Sequence, residues 1–305
     1  VWMQRLLESL VEKHRPAARE GKLAEYIPEL AKQDSRLLGM AVVDPEGKMH
    51  TAGAYRDRFT LQSISKLIAL MIALMDHGEE KVFSKVGMEP TGDPFHSIYK
   101  LEIAREAKPL NPMINAGAIA VSSLIQGGSV EERVERILHL VREMADNPGI
   151  DINRSVYQSE RDTADRNRAL AYFLKGSGVI DNVEETLDVY FRQCSICVDC
   201  RDLARMGLCL AQNGISLRGK RVIPGDIARL AKTFMVTCGM YNASGEFAIR
   251  VGIPAKSGVS GGIMALVPGR MGIGVFGPAL DKKGNSITGV RLLEDFSKKL
   301  GLSIF

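Results

Sequence analysis

The feature that most constrains this 305-residue chain is the stretch Phe59 to Gly78, FTLQSISKLIALMIALMDHG. From Leu67 to Met75 no residue is polar. Such a run is too unbroken for the apolar stripe of an exposed helix and well short of the roughly 20 residues that span a bilayer. It predicts a helix buried in the core, with Gly78 as its C-terminal stop. At its head stands Ser63-Ile64-Ser65-Lys66. Residues three apart share a helix face, so Ser63 and Lys66 make a pair. Apolar surroundings disfavour the charged form of Lys66, and a neutral amine beside a hydroxyl is an activated nucleophile. If Ser63 stands in the first turn, unpaired backbone N–H groups there favour developing negative charge. The same spacing also suits a Ser63 that caps the helix and a Lys66 that snorkels to water.

Around this helix the chain divides by periodicity. Leu6, Leu7, Leu10 and Val11 mark one stripe of an N-terminal helix, and GKLAEYIPELAK (21–32) is a short segment interrupted by Pro28. Gly39 to Val43 and Met49 to Ala54 read as a hairpin about Asp44-Pro45-Glu46-Gly47. From there to about residue 236 the strong patterns are helical: a capping box at Ser129 and Glu132, then 162–174, 184–191, 199–212 and 226–234. Strand character returns at Glu246 to Ile253, Gly261 to Val267 and Met271 to Gly277, before a last helix over Ile287 to Leu300. Strands at both ends pair most simply into one sheet, because two- and three-stranded pieces bury little alone. The expectation is an α/β (α+β) fold. Residues 1–60 with 237–305 form a discontinuous lobe of antiparallel sheet covered by terminal helices, residues 61–236 form a helical lobe, and the site lies in the cleft between them.

Composition excludes several classes of function. The 40 basic and 36 acidic residues are dispersed, without the Lys/Arg block of a nucleic-acid footprint. Val1 to Pro16 lacks the layout of a secretion signal, so no membrane role and a cytoplasmic location are expected. Cys194, Cys197 and Cys200 form C-x-x-C-x-x-C, but the next cysteine is Cys209, not the fourth of a cluster motif. Five cysteines, an odd number, suit buried free thiols, and no metal is expected. Gly272 to Gly277 spells G-x-G-x-x-G within a strand-like run, followed by Pro278 and not by the helix start that a dinucleotide phosphate needs.

Other candidates are individually ambiguous. Asn115, in NPMINAGA (111–118), either contacts a ligand or Lys66, or caps a helix. Glu160 and Asn167, seven apart, share a face if one helix covers both; alone, such residues are usually solvated surface groups. Lys256-Ser257-Gly258, between two predicted strands, is a hairpin turn or a ligand-approached strand edge. Together with Ser63-x-x-Lys66 and Asn115 it forms a three-part constellation that is far more specific than any part.

That constellation resembles the serine β-lactamase and penicillin-binding fold, with Ser257 in place of the usual Thr and no Ser-Asp-Asn. The longer strings FTLQSISK, NPMINAGA, QSE, DRN, MVTCGMYNASGEFA and PAKSGVSGG are similar to the serine-dependent glutaminase family, of bacterial and kidney/liver type, over nearly the whole chain. The resemblance implies hydrolysis of L-glutamine to L-glutamate and ammonia without metal or organic cofactor, by a homodimer or homotetramer. It makes Ser63 the nucleophile and Lys66 its base, with Tyr26 and Tyr241 nearby, Tyr241 as a proton shuttle, and Lys256 and Ser257 as electrostatic support. It assigns the oxyanion to the N–H groups of Ser63 and Val259. It gives the amino-acid head group to Asn115, Glu160, Asn167 and Tyr190, of which Glu160 suits the α-ammonium. Whether Lys66 is the base alone or shares the proton with Tyr241 stays open. The rival readings are another Ser-Lys amidohydrolase of this fold, acting on β-lactams or D-Ala peptides, and a catalytically silent glutamine-binding protein.

Overall fold

In the computed structural model, which describes residues 1–98 and 108–305, every residue from Ser65 to Leu74 is buried in a helix spanning Ser65–Lys85. Each Leu, Ile or Met so placed contributes about 1.5–3 kcal/mol, which holds the polar Lys66 inside with them. Gly78 breaks this run as expected: its φ of 79° and ψ of 171° are non-helical, and beyond it a second helical stretch reaches Lys85 and buries Val82. No described helix is long and apolar enough to cross a membrane.

Eight strands are formed among the described residues: β1 (Gly39–Val43), β2 (Met49–Gly53), β3 (Phe59–Thr60), β4 (Asp151–Ile152), β5 (Ile196–Val198), β6 (Ala255–Ser257), β7 (Gly262–Val267) and β8 (Met271–Phe276). Five of them make an antiparallel sheet in the order β2-β1-β8-β7-β6, drawn from both ends of the chain. The predicted hairpin is its β1–β2 edge: Gly47 at φ 84° donates to Asp44 O, and the Asp44 carboxylate accepts from the N–H groups of Glu46 and Lys48. The other three strands form a small sheet, β3-β5-β4, among the helices. Its strands are two or three residues long, too short to leave an alternating pattern in the sequence.

Both faces of the large sheet are covered, and the period-2 alternation shows which side chain faces which layer. Met40, Val42, Ile263, Ala265, Ile273 and Val275 pack against the helices Trp2–His14 and Ile287–Leu300. Ala41, Val43, Met264 and Leu266 face the opposite way, toward Leu203, Ala204 and Leu208 of the helix Cys200–Ala211. That helix lies so close to β8 that a Cβ on Gly272 would come within 1.9 Å of Ala204 O, and one on Gly274 within 2.1 Å of Cys200 O. The G-x-G-x-x-G run therefore serves helix-on-sheet packing.

Three expectations need correction. Glu246 to Ile253 is no strand: Ser244–Arg250 is a helix, with Phe247 and Val251 buried and Ile249 87% exposed, and the edge strand is Ala255–Ser257 instead. Spacing of four between the buried pair, with a Glu246–Arg250 ion pair beside it, reflects a helical period that alternating apolar residues concealed. Glu160 and Asn167 do not share a helix, because Thr163 and Ala164 separate Arg154–Asp162 from Asp165–Gly176. The capping box at Ser129 is half formed: its side chain accepts from Glu132 N, but the Glu132 carboxylate turns to Gly128 N. The five cysteines are unpaired, and no group of three His, Cys, Asp or Glu residues among the described residues is placed to hold a metal.

Candidate active site

Ser63 lies in a 3-10 turn, Gln62–Ile64, which feeds directly into the buried helix. Gln62 holds this turn in the left-handed region at φ 49°, and Tyr241 across the site does the same at φ 54°. A side chain larger than glycine costs about 1 kcal/mol or more there, and such strain concentrates at functional sites. The end of β6 packs against the Ser63 turn: a Cβ on Gly258 would meet Leu61 O at 2.6 Å and Ser63 N at 3.4 Å. The Lys-Ser-Gly motif and the Ser-x-x-Lys motif, almost 200 residues apart in sequence, thus touch through backbone.

Lys66 is 1% exposed. Its amine donates to Asn115 Oδ1 at 2.7 Å and to Met113 O at 3.2 Å, and stands 5.8 Å from the centre of the Phe95 ring. Burial brings its pKa down to about 8, against the nearby Cys194 and Glu160, which raise it. The amine makes no hydrogen bond to the Ser63 hydroxyl here, because both its bonds run to the start of the helix Asn115–Ser122. Asn115 carries the contact outward: its Nδ2 donates to Asn167 Oδ1 at 3.2 Å, and its Oδ1 also accepts from the Tyr190 hydroxyl at 3.4 Å. Asn115 thus contacts Lys66, and does not cap with its side chain.

A second buried lysine stands opposite. Lys256 is fully buried, donates to Ser257 O at 2.7 Å and lies 4.5 Å from the centre of the Tyr241 ring. Burial, helped by repulsion from Lys66, holds its pKa well below the usual lysine range. Tyr241 packs on Phe95, ring centres 4.6 Å apart. Burial raises its phenol, while the Ser63 and Ser257 hydroxyls pull it back; they lie near it without meeting strict hydrogen-bond geometry, so the phenolic oxygen is buried and unpaired.

Through Asn115 and Phe95 these groups back onto a cavity of about 770 Å³ whose walls include Tyr26, Phe95, Asn115, Glu160, Asn167 and Val259. Tyr26 is 54% exposed toward it. Ser63, Lys66, Tyr190, Tyr241, Lys256 and Ser257 are buried behind those walls, with Ser63 at 7% exposure. Glu160 is 6% exposed, and burial raises its carboxyl to about 7, against the lowering pull of Gln62 and Lys66. A cavity with a carboxylate and amide groups in its wall, and a hydroxyl and two buried low-pKa amines behind that wall, suits a small zwitterion carrying a reactive carbonyl.

The structure thus collects all eleven residues singled out in the sequence. Sequence reasoning missed Phe95, whose carbonyl accepts from Asn115 N at 2.9 Å, the left-handed Gln62, and Asn285, which binds Ser257. Phe95 and Asn285 sit in no patterned stretch; Gln62 lies inside the string FTLQSISK, where nothing local marks its left-handed backbone.

Comparison with known proteins places the chain. A model of the glutaminase family matches residues 21–305. A glutaminase from Clostridium tetani is 57% identical over 99% of this chain and 100% of its own length. "Glutaminase 2" of Clostridium perfringens is 55% identical with the same coverage. Among solved structures, a Bacillus glutaminase determined in 4.3 M NaCl superposes with a TM-score of 0.92 at 46% identity, covering 98% of each chain. A Bacillus subtilis glutaminase, solved as a covalent complex with 5-oxo-L-norleucine formed from 6-diazo-5-oxo-L-norleucine, gives 0.91 at 44% identity, covering 99% of each.

Proposed function

Because this chain belongs to the glutaminase family, we infer that its cavity holds L-glutamine and that Ser63 is the nucleophile which opens the side-chain amide. The protein is a glutaminase and hydrolyses L-glutamine to L-glutamate and ammonia. The observation that carries the residue assignment is the Lys66 amine, buried three residues along the chain from Ser63 and bonded at 2.7 Å to Asn115 on the cavity wall.

Two of the Lys66 amine protons are committed to Met113 O and Asn115 Oδ1. In the neutral amine the remaining tetrahedral position is a lone pair, and a pKa of about 8 keeps that form accessible near neutrality. Ser63 Oγ attacks the amide carbon as its proton passes to Lys66, directly or through Tyr241. The carbonyl oxygen takes up the negative charge against the N–H groups of Ser63 and Val259. The C–N bond then breaks as the proton is delivered to nitrogen, and ammonia leaves a γ-glutamyl ester on Ser63. Water, deprotonated by the same base, splits the ester and releases glutamate. The covalent adduct of the Bacillus subtilis relative supports such an intermediate. Lys256 and Ser257 sustain the field around Tyr241. Glu160 takes the α-ammonium; Asn115, Asn167 and Tyr190, already linked to one another, take the α-carboxylate; Tyr26 closes over the ligand from the mouth. The chemistry calls on no metal or organic cofactor.

The same reading gives a β-lactamase-like arrangement, with the site between a discontinuous α/β lobe (1–60 and 237–305) and a helical lobe (61–236). The five-stranded sheet drawn from both chain ends supports it. We take the protein to be a cytoplasmic homodimer or homotetramer, with five unpaired cysteines in keeping with a reducing compartment.

The test measures ammonia and glutamate release from L-glutamine by wild type and Ser63→Ala, with L-asparagine as control. Release by wild type alone, little of it from asparagine, is expected, with glutamine still raising the melting temperature of the variant. Substantial turnover by Ser63→Ala removes Ser63 as nucleophile. Glutamine protection without turnover by wild type marks a binding module.

A further inference from the structure

Asn285 lies in the turn between β8 and the last helix, 1% exposed, in a stretch, KKGNS, that carries no catalytic signature. Its Nδ2 donates to Met240 O at 3.0 Å, and its Oδ1 accepts from the Ser257 hydroxyl at 2.6 Å. The two ends of the amide are fixed by chemistry: Met240 O only accepts, so nitrogen must face it and oxygen must face Ser257. The residue is clamped from behind, its N–H donating to Asp281 Oδ1 at 3.1 Å and its carbonyl accepting from Asp281 N at 2.8 Å. Asp281 and Gly284, in the same turn, line the cavity.

The contact has a directional consequence. With its proton committed to Asn285, the Ser257 hydroxyl presents only lone pairs to the Tyr241 phenol. A Tyr241 phenol that closes on Ser257 must then donate to it, which leaves its own lone pairs for Ser63. Met240, the other partner, immediately precedes the left-handed Tyr241, so one amide fixes both the polarity of Ser257 and the backbone that holds Tyr241. We propose that Asn285 is a positioning residue that sets the direction of the Ser63–Tyr241–Ser257 hydroxyl chain by holding the Ser257 proton. This rests on the reading of Ser63, Tyr241 and Ser257 given above.

The test is a double-mutant cycle of Asn285→Ala and Ser257→Ala, reading kcat, KM and melting temperature. Asn285→Ala lowers kcat about 30-fold, a loss of the size expected for misorientation, with KM changed less than about threefold. In the Ser257→Ala background the same change costs less than about threefold in kcat, because the proton it controls is gone. Equal losses in both backgrounds overturn the proposal and leave Asn285 a structural residue. Wild-type kcat in Ser257→Ala alone overturns the underlying reading instead.

Asn285→Asp carries the test if the alanine variant does not fold. A protonated carboxyl reproduces both contacts, O–H to Met240 O and C=O to Ser257, whereas the carboxylate opposes the first. The charged and titratable groups around it are Lys256 next to its partner Ser257, Tyr241 next to its partner Met240, and Asp281, Lys282 and Lys283 in its own turn. The kcat of Asn285→Asp relative to wild type therefore rises as pH falls, and a ratio independent of pH contradicts the proposal.

Discussion

The Lys66 amine donates to Asn115 Oδ1 at 2.7 Å, joining the proposed base to the residue that begins the proposed head-group network. A substitution at Asn115 must therefore register at Lys66. Asn115→Asp places a carboxylate against the amine and raises its pKa from about 8, by one unit or more for an opposite charge at this range. The rising limb of kcat against pH moves to higher pH by that amount, because the neutral amine now appears later. An unmoved limb would remove Lys66 as the base.

Glu160 titrates near 7 because burial disfavours its charge. The ionised form, which the proposed α-ammonium contact requires, falls from about nine-tenths at pH 8 to about one-tenth at pH 6. Glutamine binding to Ser63→Ala, measured by calorimetry, should weaken about tenfold over that range. A Glu160→Gln, Ser63→Ala double variant should bind weakly with no such dependence. Stability has the opposite sign. A carboxyl whose folded pKa lies above its unfolded value costs stability that is absent below about pH 4.5 and present in full above about pH 7. Glu160→Gln should therefore gain melting temperature relative to wild type as pH rises from about 5 to 8.

Lys256 is fully buried and its pKa is depressed, so its amine adds little charge stabilisation to the fold. Lys256→Met fills a similar volume and removes a desolvated polar group, an exchange that is often neutral or stabilising. Its melting temperature should stay within a few degrees of wild type, while kcat falls about 100-fold through loss of the group over the Tyr241 ring. A collapse in stability with normal turnover by the surviving enzyme would reverse that assignment.

Gly272 offers a contrast. A methyl group there would come within 1.9 Å of Ala204 O and 2.2 Å of Leu208 N, both backbone atoms. Gly272→Ala must push the Cys200–Ala211 helix off the sheet and should cost about 3 kcal/mol or more in urea unfolding. A stability within 0.5 kcal/mol of wild type, roughly the scatter for surface sites, would show that the helix moves freely.

What the sequence disclosed follows from which features are local. The nonpolar run after Lys66 announces a buried helix by itself, and the Asp44–Gly47 turn announces its hairpin, because neither depends on distant residues. Phe247 and Val251 were hidden by the apolar Ile249 between them, which solvent accepts without penalty large enough to leave a pattern. Glu160 and Asn167 meet the site from separate helices, and the break at Thr163 has no proline or glycine to mark it. Asn285 is polar in a polar turn, and only the fold brings Ser257 and Met240 to its two ends. Spacing and motif picked out Ser63, Lys66, Asn115, Lys256 and Ser257, whereas Tyr26, Tyr190, Tyr241 and Val259 came from the family resemblance.

The central claim is that Ser63 carries the acyl group. 6-Diazo-5-oxo-L-norleucine, from which the Bacillus subtilis relative forms its covalent complex, is the reagent for it. Peptide mass spectrometry of the reacted wild type should place the 5-oxo-L-norleucine adduct on Ser63 in near-stoichiometric yield, with Ser63→Ala unlabelled under the same conditions. An adduct on another residue, or equal labelling of Ser63→Ala, would contradict the account.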